Sequence, residues 1–199
     1  SWIDSFKKNK GTDTSTLKEN LVFKQQQEKQ KTLHMILMDT SASTLQNKTL
    51  GKSKGVIYAI ANQAYINREE ICIHEFGVSV FEKALNIIKS PKDIEPFLKT
   101  IKAGGGTPLV ESLNQLKIWQ KKLLKQSDNL TIFTYLLSDG RTNENLDSIT
   151  PIENMVVIDL DSNYHSNNNP QNSLSLNNVI KRSKCENIAK RLNAQYICL

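Results

Sequence analysis

The chain has 199 residues, of which 38% are hydrophobic and 23% charged, and it contains only 8 Gly and 5 Pro. This composition excludes the collagen-like and Pro/Gly-rich disordered classes, and the length favours a single folded domain. No run approaches the ~18 to 20 consecutive apolar residues of a membrane-spanning helix, whereas the net charge of +6 suggests a polyanionic partner such as nucleic acid.

Residues 1–32 are polar and basic, and we expect them to form a lead-in that packs partly on a domain made of residues 33–199. They carry 7 Lys and Arg against 4 Asp and Glu, while residues 33–199 carry 19 against 16. Half of the net charge therefore lies on the lead-in, and the domain itself is only mildly basic. This distribution favours an acidic protein partner over nucleic acid.

The apolar pattern of residues 33–39 is continuous on both faces of a strand, which is typical of a central strand between two helical layers. The segment 78–85 follows the next predicted strand, Glu70–Phe76, so closely that it can pair with it only antiparallel, as a sheet edge. Further strands are predicted at 130–137, 155–160 and 195–198. Helices are predicted at 48–68, 91–101, 109–125 and 179–192.

Strands that alternate with helices in this way predict an α/β fold. We expect a doubly wound, mostly parallel six-stranded sheet with one antiparallel edge strand and helices on both faces. Cys72, Cys185 and Cys198 are odd in number and lack CxxC spacing, so neither a disulfide framework nor a zinc knuckle is indicated. A reducing, cytoplasmic location fits best, and because the chain begins with Ser we expect it to be a piece of a longer protein.

Polar residues are concentrated in three loops at the sheet edge where doubly wound folds bind their ligands. DTSAS begins at Asp39, GGGTP begins at Gly104, and SDG begins at Ser138. These loops offer two carboxylates and three hydroxyls, from Asp39, Ser41, Ser43, Thr107 and Asp139. An all-oxygen set selects a hard cation, Mg²⁺ or else Mn²⁺ or Ca²⁺, and the absence of thiol and imidazole disfavours zinc and copper.

Two carboxylates only balance the charge of such a cation, so a third carboxylate brought by a partner would bind at an open position. The three glycines allow the loop to bring Thr107 close without side-chain obstruction. Taken singly, DTSAS is also a common turn or helix cap, GGGTP a common helix start and SDG a common turn. Their occurrence together, each after a strand or before a helix, favours the metal site.

DTSAS, GGGTPL and LLSDGR are similar to the three segments of the metal-ion-dependent adhesion site of von Willebrand factor A, or integrin I-type, domains. Within that superfamily the chain most resembles the C-terminal domain of the D-type subunit of magnesium chelatase and its cobaltochelatase relatives. The resemblance extends from DTSTLKENLVFKQQQEKQ to ENIAKRLNAQYICL. It implies that Asp39, Ser41, Ser43, Thr107 and Asp139 are the adhesion-site ligands. Ala42 stands where the family commonly has Gly, which affects only the local backbone.

The resemblance further implies a non-catalytic, Mg²⁺-dependent protein-binding domain in a tetrapyrrole metal-insertion complex. An acidic residue of the large chelatase subunit would complete the metal site, with Gly105, Gly106 and Arg141 beside it, and an AAA+ ATPase subunit is the second implied partner. A structural salt bridge is the alternative role for Arg141. Two other functions stay open: a partner of a MoxR-type AAA+ ATPase that assembles or metallates another enzyme, and nucleic-acid binding.

Other motifs do not indicate catalysis. Gly51-Lys52-Ser53 resembles the end of a phosphate-binding loop, but Gln46 stands where that pattern requires its first glycine. His34 and His74 lie on predicted strands, and we interpret both as packed or hydrogen-bonded side chains. No catalytic residue is predicted.

Overall fold

The computed structural model describes residues 30–42, 49–77, 82–106, 108–161 and 184–199. In chain order, the elements are β1 (Lys31–Asp39), α1 (Thr49–Asn67), β2 (Glu70–Phe76), β3 (Glu82–Lys89), α2 (Glu95–Leu98), α3 (Leu109–Gln126), β4 (Leu130–Ser138), a 3-10 turn (Leu146–Ser148), β5 (Met155–Asp159), α4 (Lys184–Leu192) and β6 (Gln195–Cys198). Among these residues, no helix combines the length and apolar character that crossing a bilayer would need.

The strands form one sheet in the order β3-β2-β1-β4-β5-β6. β3 is antiparallel to β2, and every other neighbouring pair is parallel. The predicted doubly wound sheet with one antiparallel edge strand is therefore confirmed. Because β2 and β4 lie on opposite sides of β1, the winding direction reverses between β1 and β4. A crevice opens at the carboxyl ends of two such strands, and this is where ligands bind in this class of fold.

β1 is buried on both faces because its side chains alternate between two hydrophobic cores. Leu33, Met35 and Leu37 belong to a first core that also contains side chains of α3 and α4. Ile36 and Met38 belong to a second core that contains side chains of α1 and α2. Helices thus cover both faces of the central strand, as the continuous apolar run predicts.

Residues 179–183 of the last predicted helix and residues 1–29 of the predicted lead-in lie outside the described residues. Two elements differ from the sequence-based expectation. β3 ends at Lys89 rather than at residue 85, because its pairing with β2 continues through irregular register to Glu70↔Lys89, and residues 78–81 lie outside the described residues. The helix predicted at 91–101 is only the single turn α2. The helix begins next to Pro96, because proline is tolerated only in the first turn of a helix. At its end the Thr100 hydroxyl donates a hydrogen bond to the Phe97 carbonyl (2.7 Å).

Candidate metal centre

Asp39 is the last residue of β1, and its side chain is fully buried. Its Oδ1 accepts a hydrogen bond from the Ser41 backbone N–H (2.9 Å), and its Oδ2 accepts one from the Ser138 hydroxyl (2.9 Å). The Ser41 side chain is a further hydrogen-bond partner of this carboxylate. These bonds hold the Asp39 carboxylate in the crevice between β1 and β4.

Asp139 directly follows β4, and its side chain has no exposed surface. Its Oδ1 accepts a hydrogen bond from the Arg141 backbone N–H (3.0 Å). Its Oδ2 is buried and accepts no hydrogen bond from any described residue; the Arg141 Nε lies 3.8 Å away, an ion pair too long to be a hydrogen bond. A buried carboxylate oxygen without a hydrogen bond lowers the stability of the folded state, and a positively charged partner would compensate for this loss.

The Arg141 guanidinium lies between two carboxylates. Besides its pair with Asp139, its terminal nitrogen lies 3.6 Å from Asp161 Oδ2, and the side chain is about half exposed. The structural salt bridge that is the alternative role for Arg141 is therefore present. A contact between Arg141 and a partner protein stays a prediction.

The glycine loop lies against the DTSAS loop through its backbone. The Gly104 N–H donates to the Thr40 carbonyl (2.6 Å), and the Ala42 N–H donates to the Gly105 carbonyl (3.2 Å). Gly105 has a positive φ of 88°, which other residues adopt only at a cost. Gly105 and Gly106 are exposed at the rim of the crevice.

The structure thus brings together Asp39, Ser41 and Asp139, with the predicted glycine loop beside them. Ser43 and Thr107 lie outside the described residues, so their place in the ligand set stays a prediction. Among the residues that are described, no three His, Cys, Asp or Glu side chains converge as a metal-binding group. A cation at this edge would depend on hydroxyl ligands in addition to the two carboxylates.

The sequence reasoning missed Ser138, which links the two halves of the site. Its hydroxyl donates to Asp39 and accepts a hydrogen bond from the Gly140 N–H (3.0 Å). In the sequence it stands only as part of a turn after a strand. Its role depends on the register of β1 against β4, in which Met38 lies opposite Leu137, and the sequence does not show that register.

A third buried carboxylate, Asp159, ends β5 at the same edge and was also missed. It accepts hydrogen bonds from the Tyr196 hydroxyl (2.9 Å) and the Asp161 N–H (3.0 Å). Burial raises the pKa of the nearby Cys185 thiol, and the carboxylates of Asp159 and Asp139 raise it further. The available signal was the repeated pattern of a buried strand that ends in aspartate.

Burial raises the pKa of the Asp39 carboxyl above its usual 3.8, and the negative charge of Asp139 raises it further. The hydrogen bonds from Ser41 and Ser138 lower this pKa but do not cancel the rise. The unfolded chain loses this proton at lower pH than the folded one, so the contribution of Asp39 to stability falls as the pH rises through the raised pKa. In EDTA at pH 7 we therefore expect Asp39→Asn to unfold at a higher temperature than the wild type, with the difference shrinking toward pH 3.8. A lower unfolding temperature for the variant would show that the lost hydrogen bonds outweigh the relief of the buried charge.

No protein-family model matches the chain, and no curated protein sequence matches it. One structural match is proximal thread matrix protein 1 from the mussel byssus, with a TM-score of 0.48 and 16% sequence identity over 65% of this chain. Another is a von Willebrand factor type A protein from Catenulispora acidiphila, with a TM-score of 0.48 and 15% sequence identity over 85% of this chain. This chain spans 38% of the length of each of those two chains. The SpRpn10 VWA domain also matches, with a TM-score of 0.46 and 13% sequence identity, and the match covers 84% of this chain and 87% of that one. Similarity at this level concerns the fold alone, and the α/β class rests on the observed strand order.

Proposed function

We propose that this chain is a von Willebrand factor A domain that holds a divalent cation, Mg²⁺ in the first place, and uses it to bind an acidic side chain of a partner protein. The observation that carries the proposal is the Asp139 carboxylate. It is buried, its Oδ2 accepts no hydrogen bond from the described residues, and it is close enough to Asp39 to raise the pKa of that carboxyl. Two buried carboxylates at a ligand-binding sheet edge are an arrangement that a cation would stabilise.

Asp39, Ser41 and Asp139 would hold the cation, and the sequence predicts that Ser43 and Thr107 complete its ligands. The donors are all oxygen, which suits Mg²⁺, Mn²⁺ or Ca²⁺. When bound, the cation supplies a positive charge and an open coordination position suited to a carboxylate. Asp39 is already held by Ser41 and Ser138, so little ordering of this side chain would accompany binding.

The partner would meet the exposed rim of the crevice at Gly105, Gly106 and Arg141. We further propose, from the resemblance of nearly the whole chain to the C-terminal domain of the D-type subunit of magnesium chelatase, that the partner is the large subunit of a cytoplasmic tetrapyrrole metal chelatase with an AAA+ ATPase subunit. The alternative is that this chain is the partner of a MoxR-type AAA+ ATPase that assembles or metallates another enzyme. Nucleic acid binding would show as a salt-sensitive gel shift at ~50 mM salt, and we expect none.

Capture of the purified large chelatase subunit by the immobilised chain tests this function. We expect capture in Mg²⁺ and a loss of about 100-fold or more in excess EDTA or in Asp139→Asn, since a buried charge pair would be broken. Asp128→Asn is the matched control, because Asp128 is exposed and lies between α3 and β4, at the opposite edge of the sheet. Capture that persists unchanged in EDTA and in Asp139→Asn would contradict the proposal.

A further inference from the structure

Three loops meet at the candidate metal centre: the DTSAS loop, the glycine loop, and residues 139–144, which we call the Asp139 loop. Hydrogen bonds join the DTSAS loop to both of the others. The Ser138 hydroxyl, directly before the Asp139 loop, donates to the Asp39 carboxylate. The backbone of Gly104 and Gly105 bonds to the backbone of the DTSAS loop. A bond between the glycine loop and the Asp139 loop would close the third side of the site.

The Glu144 side chain makes this third connection. Its Oε2 accepts a hydrogen bond from the Val110 backbone N–H (2.8 Å). Val110 is the second residue of α3, which begins at Leu109, shortly after Gly106. The bond therefore joins the Asp139 loop to the residues that immediately follow the glycine loop.

The start of α3 lacks an acceptor of its own for this N–H group. The N-cap residue is Pro108, which makes no side-chain capping bond, because proline has no polar group in its side chain. The first backbone N–H groups of a helix find no acceptor within the helix, and a carboxylate placed there also interacts favourably with the helix dipole. Glu144 thus supplies, from the Asp139 loop, the acceptor that Pro108 does not provide.

Further hydrogen bonds connect Glu144 back toward Asp139. The Glu144 N–H donates to the Thr142 hydroxyl (3.1 Å), and the Thr142 N–H donates to the Gly140 carbonyl (2.9 Å). The Thr142 carbonyl accepts a hydrogen bond from the Lys184 ammonium group of α4 (3.1 Å). Because the loop is attached both to its own beginning and to α4, the Glu144 carboxylate holds the start of α3 in a defined place relative to Asp139.

We propose that Glu144 is a positioning residue for the cation, which holds the glycine loop and Asp139 in the relative placement that binding needs. This inference rests on the proposed function. Loops that are already held together bind a cation more tightly, because the cost of ordering them is not subtracted from the binding free energy. A bond that served only the stability of α3 would behave differently. Its loss would destabilise the free and the Mg²⁺-bound protein equally and leave the dissociation constant unchanged.

Isothermal titration calorimetry of the full chain with Mg²⁺ tests this role. Glu144→Ala is expected to raise the dissociation constant about fivefold, which is the size of effect that one helix cap has. Glu144→Gln keeps an oxygen that accepts the Val110 N–H, so its dissociation constant should stay within about twofold of the wild type. Glu111→Ala is the matched control, because Glu111 is an exposed carboxylate in the same first turn of α3. Its dissociation constant should equal that of the wild type.

The pattern across the variants separates positioning from other roles, and circular dichroism confirms that each variant is folded. Equal dissociation constants in the wild type and in Glu144→Ala would overturn the inference while leaving the proposed function intact. Equal weakening in Glu144→Ala and Glu144→Gln would also overturn it, since the charge rather than the hydrogen bond would then matter. The same holds if Glu111→Ala weakens binding as much as Glu144→Ala. A wild-type chain that binds no Mg²⁺ would contradict the proposed function and, with it, this inference.

Discussion

Magnesium at about 100 times its dissociation constant is expected to raise the thermal unfolding midpoint by about 5–10 °C, and Asp39→Asn or Asp139→Asn to abolish that rise. Binding to the folded state alone at this excess contributes about 2.7 kcal/mol. In a domain of this size each kcal/mol shifts the midpoint by roughly 2–4 °C. Each variant removes one of the two negative charges that would hold the cation. Differential scanning calorimetry in Mg²⁺ and in EDTA measures the shift.

Asp128→Asn is the control for this experiment as well. It removes an exposed carboxylate at the opposite edge of the sheet, so its response to Mg²⁺ should equal that of the wild type. The same series in Ca²⁺ and Mn²⁺ ranks the cations, whereas Zn²⁺ should have a smaller effect, because the predicted ligands are all oxygen atoms. An Mg²⁺ response that survives in both Asp39→Asn and Asp139→Asn would place the cation elsewhere.

Gly77→Ala is expected to destabilise the protein by about 2–4 kcal/mol and to weaken the Mg²⁺ response. A Cβ at this position would lie 2.7 Å from Thr40 Oγ1, 2.9 Å from the Thr40 carbonyl carbon and 3.0 Å from the Gly104 carbonyl oxygen. Two of these atoms belong to the backbone of the loops that build the site, so the loops themselves must move apart. Urea denaturation measures the loss of stability.

Gly55→Ala is the matched control for Gly77→Ala. Gly55 lies inside α1, and a Cβ there meets no atom within 4 Å. Alanine favours helix by up to ~1 kcal/mol over glycine, so this variant should be as stable as the wild type or more so, with an unchanged Mg²⁺ response. If Gly77→Ala were as stable as Gly55→Ala, the close approach of the DTSAS and glycine loops would not be what holds the site together.

Much of the sheet could be predicted because its signals are local. The continuous apolar run of β1 arises because its alternate side chains enter two cores, and it is recognisable without any neighbour. The ends of β3 and α2 were predicted less accurately, because they depend on contacts and on single residues rather than on a repeated pattern. The end of β3 depends on irregular pairing with β2, and α2 depends on how one proline and one threonine restrict a single turn.

The residues of the candidate site also differ in whether the sequence can predict them. Asp39 and Asp139 could be predicted because each directly follows a buried strand, and parallel strands bring their carboxyl ends to one edge. Ser138 could not, because its hydrogen bond to Asp39 spans 99 positions of sequence. For Arg141 the sequence leaves two roles open, a contact with a partner and a structural salt bridge. The ion pairs with Asp139 and Asp161 show that the salt bridge is present.

The sequence by itself determined the α/β class and the strand-ending aspartates, and it predicts a ligand set made of oxygen atoms only, since residue type and local periodicity fix these properties. Only the tertiary structure decided that Asp139 Oδ2 is buried without a hydrogen bond from the described residues and that Ser138 links the two strands. These features depend on the lateral order and register of strands distant in sequence. That order is set by the packing of two cores as a whole.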